Sequence, residues 1–199
     1  MSISLRAAVA PTCAAVAAVL PDLADLPAGT VDLSAPTPCT ELDLRGLVEH
    51  FVGTSGAMAR LGRDEPLDAD DPWGGGQGSA DSDWAGRLRD NLGAVAHGWD
   101  RPEAWTGEAR VGGAALPRPM LGEMALVEVA VHGWDVARAL GRTLELDPEV
   151  AEAVDEAVSR TAELGRQMGA YGPEVAVPHD ADGLARALGK AGRDPRWSA

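Results

Sequence analysis

A mainly α fold, built as a four-helix bundle, is what this sequence predicts, and three observations carry it. The hydrophobic fraction is 45%, yet aromatics are only 4%, six Trp against one Tyr and one Phe. The core is therefore Ala, Leu and Val; Ala and Leu favour helix, and β-branched runs are few. Apolar residues also recur at helical spacing in four or five long stretches, separated by clusters of Pro and Gly. At 199 residues the chain is ample for one core, and a single domain over 1–199 is expected.

Residues 4–20 read as the first helix. Pro11 is awkward in its interior, so the helix either starts near it or kinks there. As a secretion signal this stretch fails, having one basic residue, an interruption at Pro11 and Thr12, and no clear cleavage region. Pro21, Pro27, Gly29, Pro36 and Pro38 make 21–39 a loop. Thr40 can cap the next helix, with Asp43 at its third position as a capping-box variant. That helix is expected over about 41–61, with Leu44, Leu47, Val48, Phe51 and Val52 as its apolar stripe. His50 lies about 60° from Leu47 around the helix, at the border of core and polar face. Such a residue either reaches into a cavity or keeps its tip in water.

Residues 62–81 are acidic and rich in Gly, and no regular element fits them; loops of this length are functional lids or mobile segments. The run 68-DADD-71 lacks the spacing and closing Glu of an EF-hand, so it reads as solvated. A third helix is expected over 82–99, capped by Ser82 or Asp83, with Leu88, Leu92, Val95 and Trp99 in line. Trp105–Val111 suits a short extended arm turning at Gly112-Gly113. Pro119 suits the first turn of a fourth helix ending near Leu140 at Gly141. Asp147-Pro148 opens a fifth, to about Gly169. A short helix near 181–191 precedes the tail GRDPRW.

The stretch 121–140, LGEMALVEVAVHGWDVARAL, leaves almost no polar face, as expected of a helix in the interior. Within it Glu128 and His132 stand one turn apart, where side chains are neighbours. A buried charge needs a partner or a metal. The pair is thus either a hydrogen-bonded core pair or two ligands of an ion, and zinc sites need a third. AHGWD (96–100) echoes VHGWD (131–135). Gly93 stands one turn before His97, where no ligand can be offered, so His132 is the stronger candidate. Asp135 and Arg138 read as a structural helical pair or as groups orienting His132 or a neighbour. Trp99 and Trp134 read as packing, and Cys39 as a small residue buried where the second helix begins.

The formal charge of −14 argues against nucleic acid and anionic membranes as partners. Cys13 and Cys39 form no disulfide framework, so a reducing cytoplasm is expected. No apolar run is long enough to span a bilayer.

PTPCTELDLRGLVEH, then EVAVHGWDVARALGR, then GRDPRW, in that order over nearly the whole chain, resemble the DinB-like metal-binding superfamily. The nearest branch is the mycothiol-dependent maleylpyruvate isomerase N-terminal domain. Where Trp is common in relatives, this chain has 41-EL-42. The resemblance implies a four-helix bundle with a short extended arm and a small C-terminal helix. It implies a divalent metal, usually zinc, held by His50, Glu128 and His132. It also implies a low-molecular-weight thiol such as mycothiol as co-substrate, activated on the metal to attack an electrophile, in a monomer or homodimer. No protein nucleophile is then required beyond the ligand set. Three other readings remain open from the residues. One is a hydrolase using metal-activated water, although HExxH is absent. Another is a bundle that binds metal without catalysis. The third is a non-haem iron oxygenase, which shares two His and one carboxylate but normally sits on a β-barrel.

Overall fold

The structure is a computed structural model that describes residues 3–23, 30–75 and 78–198. Its helices are α1 (Leu5–Val19), α2 (Leu44–Gly62), α3 (Trp84–Trp99), α4 (Arg118–Ala139), α5 (Pro148–Gln167) and α6 (Gly183–Lys190), with a hairpin of β1 (Glu108–Val111) and β2 (Ala114–Pro117). The chain is mainly α, as its composition predicts. None of the described helices is long and apolar enough to cross a membrane.

Helices α1 to α4 form the bundle. Each packs on two neighbours in the cyclic order α1, α3, α2, α4, while α5 lies outside against α4 and α1 and carries α6. Side-chain bonds fix the directions. Arg118 reaches the Leu61 carbonyl and Thr54 reaches Glu128, so α2 and α4 are antiparallel. Asn91 reaches the Val52 carbonyl and Trp99 that of Met58, so α2 and α3 run the same way. Parallel neighbours need a long crossover, which is the role of 63–83. That segment returns along α2, where a Cβ on Gly53 would stand 1.9 Å from the Gly74 carbonyl oxygen. The 62–81 stretch, expected as a lid or a mobile loop, is a connection laid on its own helix; residues 76–77 lie outside the described residues.

Several boundaries differ from expectation. Helix α1 is capped by Ser4 and continues through Pro11 rather than starting there. Helix α2 begins at Leu44, not near 41. Asp43, not Thr40, is its cap and accepts from the Gly46 amide at 2.9 Å. The preceding residues are already committed elsewhere: Pro36 bridges to Asp43, and the Thr37 hydroxyl donates to the Leu42 carbonyl at 2.7 Å. Trp105 lies in a 3-10 turn, Pro102–Trp105, rather than in the extended arm. The arm is a two-stranded hairpin pairing Val111 with Ala114 across Gly112 and Gly113, both of positive φ. Helices α4, α5 and α6 lie within a few residues of their expected spans, with Pro119 in the first turn of α4 and Pro148 opening α5. Both cysteines are free.

The α1–α4 crossing is close because Gly133 faces Val16; a Cβ there would stand 2.3 Å from Val16 Cγ2. Gly133→Val is expected to cost about 1–3 kcal/mol by overpacking. Gly93, on the exposed face of α3 with nothing within 4 Å of its would-be Cβ, is the converse. Gly93→Ala is expected to add up to about 1 kcal/mol through helix propensity. Urea denaturation of the two variants checks both signs.

Candidate metal centre

The seam between α2 and α4 holds the site. His50 sits on α2 just beyond the Leu47–Val48–Phe51 stripe, all three of which are fully buried, and this places its ring at the core's edge. Glu128 and His132 project from α4 one turn apart toward it. Side-chain exposure is 38% for His50, 21% for Glu128 and 13% for His132, so the cluster is walled on the protein side and open on the other.

His50 Nε2 lies 3.1 Å from Glu128 Oε1. His132 Nε2 lies 3.6 Å from the same oxygen, and the two imidazoles meet edge to face with centroids 4.8 Å apart. Among the described residues, His50, Glu128 and His132 form the group of metal-ligating types whose donor atoms all lie within 4.8 Å of one another. His50 combines the two sequence readings, its Nε2 turned to Glu128 while 38% of its side chain stays in solvent. His97, from the echo motif, is exposed on α3, while its neighbour Trp99 is fully buried.

Electrostatics follow from the crowding. Burial pushes the Glu128 carboxyl up, but His132 and His50 and the Thr54 hydroxyl outweigh it and bring it down to about 2. Burial pulls the His132 imidazolium down, and the charges of Glu128 and Asp135 overcome this, so His132 holds its proton above its ordinary range. Each charge is thus answered by a neighbour, as burial requires.

Around these three stand Asp135, which the sequence flagged, and Arg193, Thr54 and Tyr171, which it did not. Asp135, fully buried, places Oδ2 3.1 Å from His132 Nδ1. Arg138, expected to pair with Asp135 or to serve the site, does neither. It turns away and its Nε donates to the Trp197 carbonyl at 3.0 Å. The cation on Asp135 is Arg193, whose Nη2 donates to Oδ2 at 3.1 Å. Residues three apart on a helix need not pair when a buried partner from elsewhere offers a drier, two-pronged contact. Thr54 donates to Glu128 Oε1 at 2.8 Å; its place one turn beyond His50, the spacing of Glu128 and His132, was the available signal. Tyr171 places its hydroxyl 3.2 Å from Thr161 Oγ1. Burial raises the Tyr171 phenol, and the nearby Glu128 charge raises it further; no local pattern announced this residue. Cys39 is half-buried in the loop before α2 rather than at the helix start. Burial pushes its thiol up, partly offset by Arg193. Trp134 is packed in the core, as expected.

Comparison with known proteins agrees with the resemblance. Residues 9–137 match the mycothiol maleylpyruvate isomerase N-terminal domain. Two uncharacterised proteins of Mycobacterium tuberculosis, from strains CDC 1551 and H37Rv, are each 28% identical over 169 residues, covering 81% of this chain and 86% of the relative. No solved structure matches significantly.

Proposed function

The chain belongs to the mycothiol maleylpyruvate isomerase N-terminal domain family, and on that premise we propose that it binds one divalent cation, zinc, through His50, Glu128 and His132. We further propose that it acts as a thiol-dependent transferase or isomerase on an electrophilic substrate, with 1–199 as one functional domain in the cytoplasm. The observation that carries this reading is the convergence of three donors from two helices.

The donor set fits the ion. Tetrahedral zinc with bonds near 2.0–2.2 Å has ligand-to-ligand edges of about 3.3–3.6 Å, and Glu128 Oε1 lies 3.1 Å from His50 Nε2 and 3.6 Å from His132 Nε2, within a few tenths of an ångström of those edges. Two neutral imidazoles and one carboxylate leave a divalent ion with a positive charge to spare and a coordination position open. Held by His50, Glu128 and His132, a divalent ion would supply Lewis acidity that favours the thiolate form of a low-molecular-weight thiol such as mycothiol. Thr54 fixes the rotamer of Glu128, and Asp135 holds the ring of His132. The exposed side of His50 leaves room for a ligand to approach from solvent.

Calorimetry with mycothiol on zinc-loaded and metal-free protein tests the reading. Heat that requires the metal supports a thiol enzyme. Metal binding with no metal-dependent heat from mycothiol points to a plain metal-binding bundle, and elemental analysis separates zinc from iron.

Binding should depend on pH in a definite sense. His132 holds its proton more tightly than a free histidine because of Glu128 and Asp135, and that proton must leave before Nε2 can ligate. Apparent zinc affinity is therefore expected to rise with pH through and above the ordinary histidine range near ~6.5, levelling once His132 is neutral. Chelator competition at several pH values measures the slope; a flat profile would count against His132 as a ligand.

A further inference from the structure

We propose that Arg193, from the segment after α6, is a positioning residue for the metal site: it clamps Asp135, which in turn holds His132 with Nδ1 protonated and Nε2 facing the cation. This rests on His132 being a ligand, and it lies outside the 9–137 stretch matched to the family.

The geometry is a relay in which two buried groups, Arg193 and Asp135, back a partly exposed imidazole, His132. Arg193 is 6% exposed and Asp135 0%. Arg193 Nε lies 3.3 Å from both Asp135 oxygens and Nη2 lies 3.1 Å from Oδ2. The same Oδ2 stands 3.1 Å from His132 Nδ1. A carboxylate held by a guanidinium accepts hydrogen bonds and donates none. Nδ1 must therefore carry the hydrogen, which leaves the Nε2 lone pair for a ligand on the Glu128 side. This is the tautomer that metal-bound histidines take when their far nitrogen meets a carboxylate.

Arg193 is itself held. Its amide donates to the Leu188 carbonyl at 2.9 Å, and its Nη1 donates to the Ala191 carbonyl at 3.2 Å. Helix α6 is fastened to α5, with Lys190 Nζ 2.6 Å from Asp155 Oδ1 and Arg186 Nη2 2.6 Å from Glu152 Oε2. The clamp is therefore delivered by the docking of α6. Arg138, bound to the Trp197 carbonyl, fastens the same tail without touching Asp135, and so serves as the control.

The experiment compares Arg193→Met, Arg193→Lys, Asp135→Asn and Arg138→Met. Two readouts are taken: zinc affinity by chelator competition, and the His132 tautomer by 15N NMR of metal-free protein at a pH where the imidazole is neutral. The unaltered protein is expected to show Nδ1–H. Arg193→Met should mix the tautomers and weaken zinc binding by about 10- to 100-fold, with Arg193→Lys restoring most of the loss. Asp135→Asn offers an amide donor to Nδ1, so the Nε2–H tautomer should appear and affinity fall at least as far. This variant carries the test if Arg193→Met does not fold. Arg138→Met should leave both readouts unchanged. The proposal is overturned if Arg193→Met keeps the tautomer and the affinity, or if Arg138→Met lowers affinity equally. If the unaltered protein binds no zinc, the ligand assignment fails, and the tautomer alone then decides whether Arg193 orients His132.

Discussion

His132→Ala is expected to lower zinc affinity by more than about 100-fold while the helices persist. The estimate takes the 10–100-fold typical of losing a residue that only supports a ligand as a floor, since His132 itself would donate to the ion. The side chain is 13% exposed and lies at the mouth rather than the centre of the core, so its truncation leaves a shallow gap. Far-ultraviolet circular dichroism should be unchanged. His50→Ala should behave alike, because two remaining donors rarely hold zinc. His97→Ala should retain full occupancy, as its ring points to solvent on α3. Elemental analysis of the three purified variants reads the pattern directly. A full equivalent of metal in both His50→Ala and His132→Ala would sink the assignment.

Trp99→Ala should be the most damaging single truncation for stability, by about 3–5 kcal/mol. The indole is fully buried and donates to the Met58 carbonyl at 2.9 Å. It meets Trp105 edge to face at 5.6 Å, and Gly62 is open enough for the ring to lie against α2, with a would-be Cβ 2.9 Å from the indole. Removing it leaves a cavity at the α2–α3 contact and takes away the hydrogen bond that the indole makes across it. Chemical denaturation measures the loss. A change under 1 kcal/mol, as order-of-magnitude reasoning for exposed sites would give, would mean that the ring is not the wedge described here.

The two HGWD motifs show what local sequence can and cannot reveal. In α3 the Trp is structural and the His is solvated; in α4 the His faces the site and the Asp is buried beneath it. Neighbouring residues distinguish the two, because Glu128 precedes His132 by one turn whereas Gly93 precedes His97. Helical spacing likewise located most of the helices, since apolar periodicity is a local property. What periodicity could not supply was anything depending on direction or on distant partners. The parallel run of α2 and α3 turned an expected lid into a crossover. Asp135 found Arg193 across the chain rather than Arg138 beside it. The start of α2 moved to Leu44 because the competing bridge from Pro36 to Asp43 is invisible without the fold.

That crossover arrangement also bears on how the molecule is made and kept. His50 and Glu128 are separated by 78 residues, and same-direction neighbours cannot zip up as a simple hairpin. Entropy must be surrendered in closing long segments before any cross-bundle contact rewards it. The three proposed ligands therefore cannot meet until the bundle is shut. Once shut, an ion that prefers the native form over the unraveled one adds about 4 kcal/mol at a thousandfold excess over its dissociation constant. On the proposed ligand assignment, metal supply would then govern the lifetime of this protein.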